Sequence, residues 1–351
     1  MIRHLWNRAK IQARPIKELY YISLNFFRFF QGFREHLKTG KNTALAYQSM
    51  ITCFCKTRGL SNDFFSKLIS LTSKPYRFPN NKGILGDLSQ NQLREINLNL
   101  SQDGYYVFPN LLSKNICDEL EAFARSQECE VELEDANAPA VITRYDETQL
   151  QGVRYSVPVP VLISHPSVQK LLCDYSLLSV AQTYLGAPPI MENTALSWST
   201  PFNPNPSKRA AQFYHFDMDR IKWLKLFIYI TDVGPKNGPH SFVRGSHRRF
   251  GIPDALLKQG YSRLTDEEVG NYYPPEDFLE FTGARGTMIF EDTRGLHKGK
   301  NLDQGHRLML GIQFSNSAFG GHTIQTKFTT PIPDFLKAMI SQYPQVYSLF
   351  S

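Results

Sequence analysis

His215 and Asp217 are separated by a single residue in segment 213–217. On a β-strand, residues two positions apart project from the same face, so this imidazole and this carboxylate can reach a common point. Two histidines and one carboxylate, with coordination positions left open, form the facial ligand set of non-haem iron(II) oxygenases. The pair therefore predicts a metal site, provided that the rest of the chain supplies a second histidine.

His297 and Arg307 are the downstream candidates for the remaining roles. We expect a hairpin over 286–312, with a turn at 301–305, that carries His297 near the end of one strand and Arg307 at the start of the next. A dicarboxylate co-substrate that chelates the metal through one end needs a cation for its far carboxylate. The planar guanidinium of arginine can hold that carboxylate bidentately, which a lysine cannot do.

The chain that positions these residues changes its pattern along its length. A short β-type run at 104–109 precedes a helix over 114–126 capped by Ser113, and a further helix is predicted over 167–185. Beyond Pro188 the pattern becomes one of short strands and turns. The predicted strands cover 195–200, 212–217, 223–231, 286–290 and 307–314. This order indicates a sandwich or barrel with helices covering one sheet.

The net charge of +7 is concentrated at the N-terminus, because residues 1–60 contain eleven Lys and Arg residues against two Glu residues. From Pro15 to about Lys38, apolar residues recur at three- and four-residue steps, which predicts one face of a helix. We expect that face to pack on the core of this protein. The alternative is a peripheral contact of residues 15–38 with an anionic membrane surface or a partner. The basic excess lacks the repeated aromatic platforms of nucleic-acid binding, so no nucleic-acid partner is predicted.

The cysteine content and the hydropathy of the chain indicate the cellular compartment in which the protein is located. The five cysteines are loosely spaced and odd in number, which argues against a disulfide framework and favours a reducing environment. No uninterrupted apolar run is long enough to span a membrane, and charges break up any resemblance to a signal peptide. The sequence therefore predicts a cytoplasmic protein, with peripheral membrane attachment as a variant of that prediction.

The order His215-x-Asp217, then His297, then Arg307 ten residues later, resembles the phytanoyl-CoA dioxygenase family of iron(II)- and 2-oxoglutarate-dependent oxygenases. Segment 103–112 resembles the strand-and-helix signature that opens the family domain. The central segment of the family is matched by Ile-Thr-Asp-Val at 230–233, Asn-Gly-Pro at 237–239 and Gly-Ser-His at 245–247. The resemblance covers about residues 95–320.

The resemblance implies a mainly β fold with flanking helices, in which a double-stranded β-helix (a jelly-roll, cupin-like barrel) holds iron inside one open end. It implies that His215, Asp217 and His297 bind the catalytic Fe(2+) and that Arg307 binds 2-oxoglutarate. The predicted organisation is a basic, largely helical extension over 1–90, the oxygenase domain over 91–330 and a helical tail over 331–351.

Two further residues are candidates for the co-substrate pocket. Phe227 stands with Lys225 and Tyr229 on one side of the predicted strand 223–231, and it walls the pocket if that side faces the barrel mouth. Gln212, three residues before His215, either contacts the co-substrate or faces solvent. The chain departs from the family at Gly299, where a small hydroxyl residue is common, which puts one hydrogen bond to 2-oxoglutarate in doubt.

The remaining candidates have plainer interpretations. Arg144 and Arg154 form a basic pair in an irregular stretch before the barrel, where they either meet an anionic substrate or lie in a solvated loop. A structural role is predicted for each of the other histidines of this half, which are His240, His247, His306 and His322.

The resemblance implies an Fe(II)/2-oxoglutarate-dependent dioxygenase that uses O2, converts 2-oxoglutarate to succinate and CO2, and hydroxylates an unactivated C–H bond of a small-molecule or acyl- or lipid-type substrate. Desaturation and ring closure stay open as outcomes of the same chemistry. The alternative is a non-catalytic metal- or ligand-binding jelly roll that acts through its basic N-terminal helix at a membrane surface or a partner. The substrate and the oligomeric state are not determined by the sequence.

Overall fold

The computed structural model describes residues 2–135 and 137–350, with side chains described from Lys17 onward. The ends of the predicted extension and tail, Met1 and Ser351, lie outside the described residues. The helices are α1 (Ile2–Thr39), α2 (Ala44–Thr57), α3 (Leu60–Thr72), α4 (Gln90–Gln102), α5 (Lys114–Ser126), α6 (Val159–Leu162), α7 (Pro166–Leu172), α8 (Tyr175–Leu185), α9 (Asp254–Leu257), α10 (Asp266–Gly270) and α11 (Asp334–Gln342). The strands are β1 (Lys82–Gly83), β2 (Gly86–Asp87), β3 (Tyr105–Phe108), β4 (Glu128–Glu132), β5 (Val141–Arg144), β6 (Arg154–Ser156), β7 (Ile190–Ser199), β8 (Trp223–Tyr229), β9 (His240–Val243), β10 (Phe278–Phe281), β11 (Met288–Glu291), β12 (His297–Gly299) and β13 (Arg307–Ser315).

Two antiparallel sheets build the barrel. In the described part of the chain, the large sheet has the strand order β3-β11-β8-β13-β7-β6-β4-β5, and the small sheet has the order β10-β9-β12. Strands distant in sequence are neighbours in both sheets, as in a jelly roll, and helices cover the outer face of the large sheet. The predicted fold class, mainly β with flanking helices around a jelly-roll barrel, is confirmed.

Local signals explain where the helices begin and end. Ser113 caps α5 as predicted, since its hydroxyl accepts a hydrogen bond from the Ile116 amide. The single helix predicted over 167–185 is wrong, because the structure has α7 and α8 separated at Cys173 and Asp174. The Asp174 carboxylate accepts from the Leu177 amide and so starts a new helix where the periodic pattern suggests continuity.

Alternation along β7 separates the hydrophobic core from the barrel interior. Leu196 and Trp198 are fully buried in a core that the large sheet shares with helix residues such as Leu120 and Leu178. Residues of the opposite parity on the same strand line an internal cavity, and they are Asn193, Ala195, Ser197 and Ser199. The two faces of one sheet thus build the core on one side and the cavity on the other.

Helix α1 packs part of its apolar face on this protein, as the sequence predicts. Phe29 and Phe33 are buried, and Phe29 stacks on Phe65 with ring centroids 3.9 Å apart. Other apolar residues of the helix are exposed, among them Phe27 at 55% and Leu37 at 67%. Among the described helices, none has the length and apolar character that crossing a membrane requires.

Helices α2 and α3 contact the segment that precedes β8. The Asn62 amide donates to the Ile221 carbonyl at 3.2 Å, and the Tyr47 hydroxyl donates to the Asp219 carboxylate at 3.0 Å. These bonds attach the basic N-terminal segment to the chain two to four residues beyond Asp217. The division into domains at residues 90 and 330 stays a prediction.

Candidate metal centre and co-substrate pocket

His215 and Asp217 lie in extended backbone between β7 and β8, but the strand predicted over 212–217 is wrong. Tyr214 and His215 form only isolated bridges, and the second of these joins His215 to His297 through a pair of backbone hydrogen bonds of 3.0 and 2.9 Å. The Asp217 amide donates to the Thr293 carbonyl at 2.7 Å. The segment therefore crosses the barrel mouth by pairing with the chain around His297.

The predicted hairpin between His297 and Arg307 is also wrong. His297 begins β12, which pairs with β9 in the small sheet, whereas Arg307 begins β13, which pairs with β7 and β8 in the large sheet. The two side chains consequently reach the cavity from facing sheets. Strands that follow each other in sequence are separated in this way because a jelly roll alternates its strands between two sheets.

The three predicted metal ligands come together at one point. The Nε2 atoms of His215 and His297 lie 3.8 and 3.6 Å from carboxylate oxygens of Asp217. One donor atom from each residue falls within 4.8 Å of the other two, and all three residues are buried. Within the described residues this is the only such group of three or more, and its two imidazoles and one carboxylate are a donor set that suits Fe(2+).

Backbone carbonyls set the orientation of both imidazoles. His215 Nδ1 lies 2.9 Å from the Phe213 carbonyl oxygen, and His297 Nδ1 lies 3.0 Å from that of Gly295. A carbonyl oxygen only accepts, so in each neutral ring the proton resides on Nδ1 and the lone pair of Nε2 points towards Asp217. Burial lowers the pKa of His297 to about 4 and that of His215 well below its usual range, so both rings are neutral and able to bind a metal at pH 7.

Lys225 forms an ion pair with the carboxylate of Asp217. Its Nζ lies 2.6 Å from Asp217 Oδ2. Burial alone would raise the pKa of Asp217, but Lys225, and after it the two histidines, outweigh that effect and hold the pKa below its usual range. Asp217 is therefore an anion in spite of its burial, which is the form that a metal requires.

A buried Glu291–His240 pair lies behind the centre, and the sequence did not indicate it. His240 lines the cavity with its ring centroid 5.7 Å from that of His297, so the purely structural role predicted for it omits its position in the pocket wall. Its Nε2 lies 3.0 Å from both carboxylate oxygens of Glu291, which is 0% exposed. Burial lowers the pKa of His240 to about 3 and raises that of Glu291 well above its usual range, so the pair carries little net charge.

The chain between β11 and β12 is fixed by an ionic cluster. The Asp292 carboxylate accepts from Arg294 Nη2 at 2.7 Å and from the Tyr184 hydroxyl at 2.5 Å. Burial would raise the pKa of Asp292, but Arg294 outweighs it and lowers the pKa to about 2. Because Asp292 and Arg294 precede His297 by five and three residues, this cluster holds the turn that delivers the distal histidine.

Arg307 is a buried guanidinium that has no described carboxylate partner. It is 5% exposed, its Nη1 donates to the Gly238 carbonyl, and its Nη2 donates to the Ser199 hydroxyl at 3.1 Å. Its Nε is buried without a hydrogen-bond partner among the described residues. Burial of an uncompensated charge is costly, so the environment is suited to an anion entering from the cavity. The far carboxylate of 2-oxoglutarate fits this requirement.

His215, His297 and Arg307 line one cavity of about 260 Å³. Phe227 lines it beside Lys225, as alternation on β8 predicts, and Met309 and Gly311 on β13 add to the same wall. A Cβ at Gly299 would lie 3.4 Å from Arg307 Nη2, so the hydroxyl group that the family commonly has here would stand next to the guanidinium. Glycine at this position leaves that space open.

Not every predicted candidate reaches the cavity. Gln212 does not line it, because its side-chain oxygen accepts from the Ser207 amide at 2.6 Å, and its alternative role facing solvent is also wrong since it is buried. His247 has the structural role predicted for it, with Nε2 3.2 Å from the Ser101 carbonyl oxygen. His306 faces away from the cavity and lies 3.3 Å from Glu147. Of the basic pair, Arg154 lines the cavity and Arg144 is exposed.

Comparison with known proteins gives a family match and distant relatives. The family model described as "Phytanoyl-CoA dioxygenase (PhyH)" matches residues 100–307. The ectoine dioxygenase of Sphingopyxis alaskensis is 23% identical over 216 residues, which cover 56% of this chain. The match spans 66% of that relative, slightly less than two thirds of its length.

Comparison with solved structures gives distant likenesses. HygX from Streptomyces hygroscopicus, solved with nickel and 2-oxoglutarate bound, has a TM-score of 0.47 and 16% identity over 71% of this chain and 94% of that one. The apoform of EctD from S. alaskensis has a TM-score of 0.44 and 16% identity over 75% of this chain and 86% of that one. Both TM-scores are below 0.5, so the sequence match over 100–307 is the finding that assigns the family.

Proposed function

Because this chain belongs to the phytanoyl-CoA dioxygenase family, we propose that it is an iron(II)- and 2-oxoglutarate-dependent dioxygenase that hydroxylates an unactivated C–H bond of a small-molecule or acyl- or lipid-type substrate. One observation carries the proposal. A buried two-histidine, one-carboxylate centre shares a cavity with Arg307, a buried guanidinium that has no described carboxylate partner.

Each residue of the centre has a separate task in this proposal. His215, Asp217 and His297 hold iron, and Arg307 binds the 5-carboxylate of 2-oxoglutarate, which orients the co-substrate along the cavity. When bound, iron, O2 and 2-oxoglutarate supply the oxidising chemistry, in which 2-oxoglutarate becomes succinate and CO2. Phe227 forms an apolar wall beside the bound acid and keeps water away from it.

The protein contributes position and charge. Backbone carbonyls fix both imidazoles before metal arrives, and Lys225 keeps Asp217 ionised. Such preorganisation lowers the cost of assembling the centre, since no ligand has to be deprotonated or rotated on binding. The neutral Glu291–His240 pair fills the space behind His297 without adding a competing charge.

An anaerobic titration tests the proposal. Iron(II)-loaded protein is titrated with 2-oxoglutarate, and we expect the metal-to-ligand charge-transfer absorption of the chelate to appear and saturate. The zinc(II)-loaded protein is the matched control, because a filled d shell binds the acid without producing that band. Admission of O2 should then release succinate. Failure of the iron(II) protein to give a band would reject the proposal.

The non-catalytic jelly roll is the competing function. Such a protein would keep the metal site and the ligand site. It would differ from the oxygenase in the final step of the titration, because it would form no succinate on exposure to O2. The two ligand sites and the uncompensated Arg307 have no evident purpose in a protein that acts only through its helix. The oxygenase is therefore the better supported of the two.

Peripheral attachment through α1 is compatible with enzymatic activity and is a separate proposal. Tyr20 and Phe27 are exposed, and the same outward surface of the helix includes Arg34 and Lys38. Exposed aromatics among basic residues match an anionic lipid surface. Flotation of the full chain with phosphatidylglycerol vesicles, but not with phosphatidylcholine vesicles, is the expected result. Equal recovery with both, or with neither, would contradict it.

A further inference from the structure

Arginines are concentrated at one end of the cavity, on the large sheet. In the pairing of β6, β7 and β13, Arg154 lies opposite Ser199, and Ser199 lies opposite Arg307. The two guanidinium-bearing residues thus occupy one row across three neighbouring strands, with Ser199 between them. Both line the cavity, so this row presents two cations to whatever binds there.

Few carboxylates balance these cations. Arg154 shares the carboxylate of Glu132 with a further arginine, Arg209. Arg154 Nη1 lies 3.3 Å from one oxygen of Glu132, and Arg209 Nε lies 3.4 Å from the other. Arg307 has no described carboxylate partner and is assigned above to 2-oxoglutarate. After the co-substrate is bound, one carboxylate therefore still serves two guanidinium groups at this end of the cavity.

Arg263 is a third cation, and it lies on the chain that pairs with the segment carrying His215. It precedes Leu264, whose backbone pairs with Tyr214 through hydrogen bonds of 2.9 and 2.8 Å, so it stands beside the strand-like segment that delivers His215. Among the described residues it forms no salt bridge, and its Nη1 is buried without a hydrogen-bond partner. The antiparallel pairing of Leu264 with Tyr214 sets Arg263 opposite His215, and the charge of Arg263 also contributes to lowering the pKa of Arg154, after burial. Arg263 thus stands beside the predicted metal ligand His215 and within electrostatic reach of Arg154.

We propose that Arg154 and Arg263 form a subsite for an anionic group of the substrate, a carboxylate or a phosphate. This inference rests on the proposed function and narrows its substrate to a molecule with a negatively charged end. Guanidinium groups bind either oxyanion through two parallel hydrogen bonds, so the shared chemistry is a planar or tetrahedral oxyanion with at least two free oxygens. Holding that end fixes which C–H bond faces the metal centre.

The subsite is tested with simple anions, because the substrate is unknown. Protein loaded with iron(II) and 2-oxoglutarate is titrated without O2, by calorimetry, with butyrate, with butyl phosphate and with butanol. We expect at least one anion to bind and butanol not to bind. Arg154→Gln and Arg263→Gln should each weaken anion binding about tenfold or more, as expected for loss of a charge-assisted bidentate pair. Arg94→Gln, an exposed arginine on α4, is the matched control and should change nothing.

A second background separates this inference from the proposed function. The same titrations are made with metal-free Arg307→Met protein, in which the predicted 2-oxoglutarate site is removed and loading is not required. Binding there that depends on Arg154 and Arg263 supports the subsite even if the charge-transfer band is absent. If butyrate binds more tightly than butyl phosphate, the charged end of the substrate is a carboxylate. The reverse order of affinities indicates a phosphate. If neither anion binds, or if both Gln variants bind as the wild type does, the subsite is rejected.

Discussion

Substitution of His297 by alanine is expected to raise the dissociation constant for iron(II) at least about 100-fold and to abolish O2-dependent succinate release. His297 supplies one of three protein donors, and its Nε2 lies 3.6 Å from the Asp217 carboxylate with no other described histidine placed to replace it. The neighbouring His240 is not one of the grouped donors, and its Nε2 is already hydrogen-bonded to Glu291. Anaerobic calorimetry with iron(II) measures the change directly.

Asp217→Ala has the same expected effect on metal binding but a different effect on the fold. Removal of the carboxylate leaves Lys225 without its 2.6 Å partner, so we expect a lower melting temperature for the metal-free variant as well. Asp217→Ala with Lys225→Met should recover the melting temperature without recovering the metal site. His306→Ala is the matched control, because that ring faces Glu147. Wild-type iron affinity in both ligand variants would show that the metal is held elsewhere.

Arg307→Met should raise the dissociation constant for 2-oxoglutarate about 100-fold or more, with iron(II) affinity retained. A bidentate charged pair in a water-poor cavity is lost, and the far carboxylate of the acid is left buried without a cation. Arg307→Lys keeps the charge but loses the planar fork, so an intermediate affinity is expected. Titration of the charge-transfer band on each iron(II)-loaded variant gives these constants.

Stability gives an independent measure of the same site. Arg307 is buried without a described carboxylate, so the melting temperature of Arg307→Met without ligand should equal or exceed that of the wild type. At 100 times the wild-type dissociation constant, 2-oxoglutarate should raise the free energy of unfolding of the wild type by about 2.7 kcal/mol, and that of Arg307→Met by about 0.4 kcal/mol or less. Arg244→Gln, on an exposed residue, is the control. If 2-oxoglutarate stabilises Arg307→Met as much as it stabilises the wild type, Arg307 does not bind the co-substrate.

The spacing of the chemical groups along the chain is information that the sequence carries by itself. His215, Asp217, His297 and Arg307 were selected by residue type and order, and the jelly-roll class followed from the resemblance that they support. Alternation placed Phe227 and Lys225 on the cavity side of β8, because the period of two is a local property of extended backbone. Ser113 similarly identified the start of α5, since capping depends on residues within one turn.

Only the tertiary structure decided how these groups meet. Whether His297 and Arg307 share a hairpin depends on hydrogen bonds to strands far away in sequence, and the structure places them on facing sheets. The Glu291–His240 pair and the Lys225–Asp217 ion pair are likewise contacts between distant segments, so no local pattern reports them. Gln212 was a candidate for the cavity by its sequence position, but its side chain instead accepts a hydrogen bond from the Ser207 amide. The sequence by itself determined which chemical groups are present, and the tertiary structure decided their partners, because pairing energies between strands depend on the whole fold.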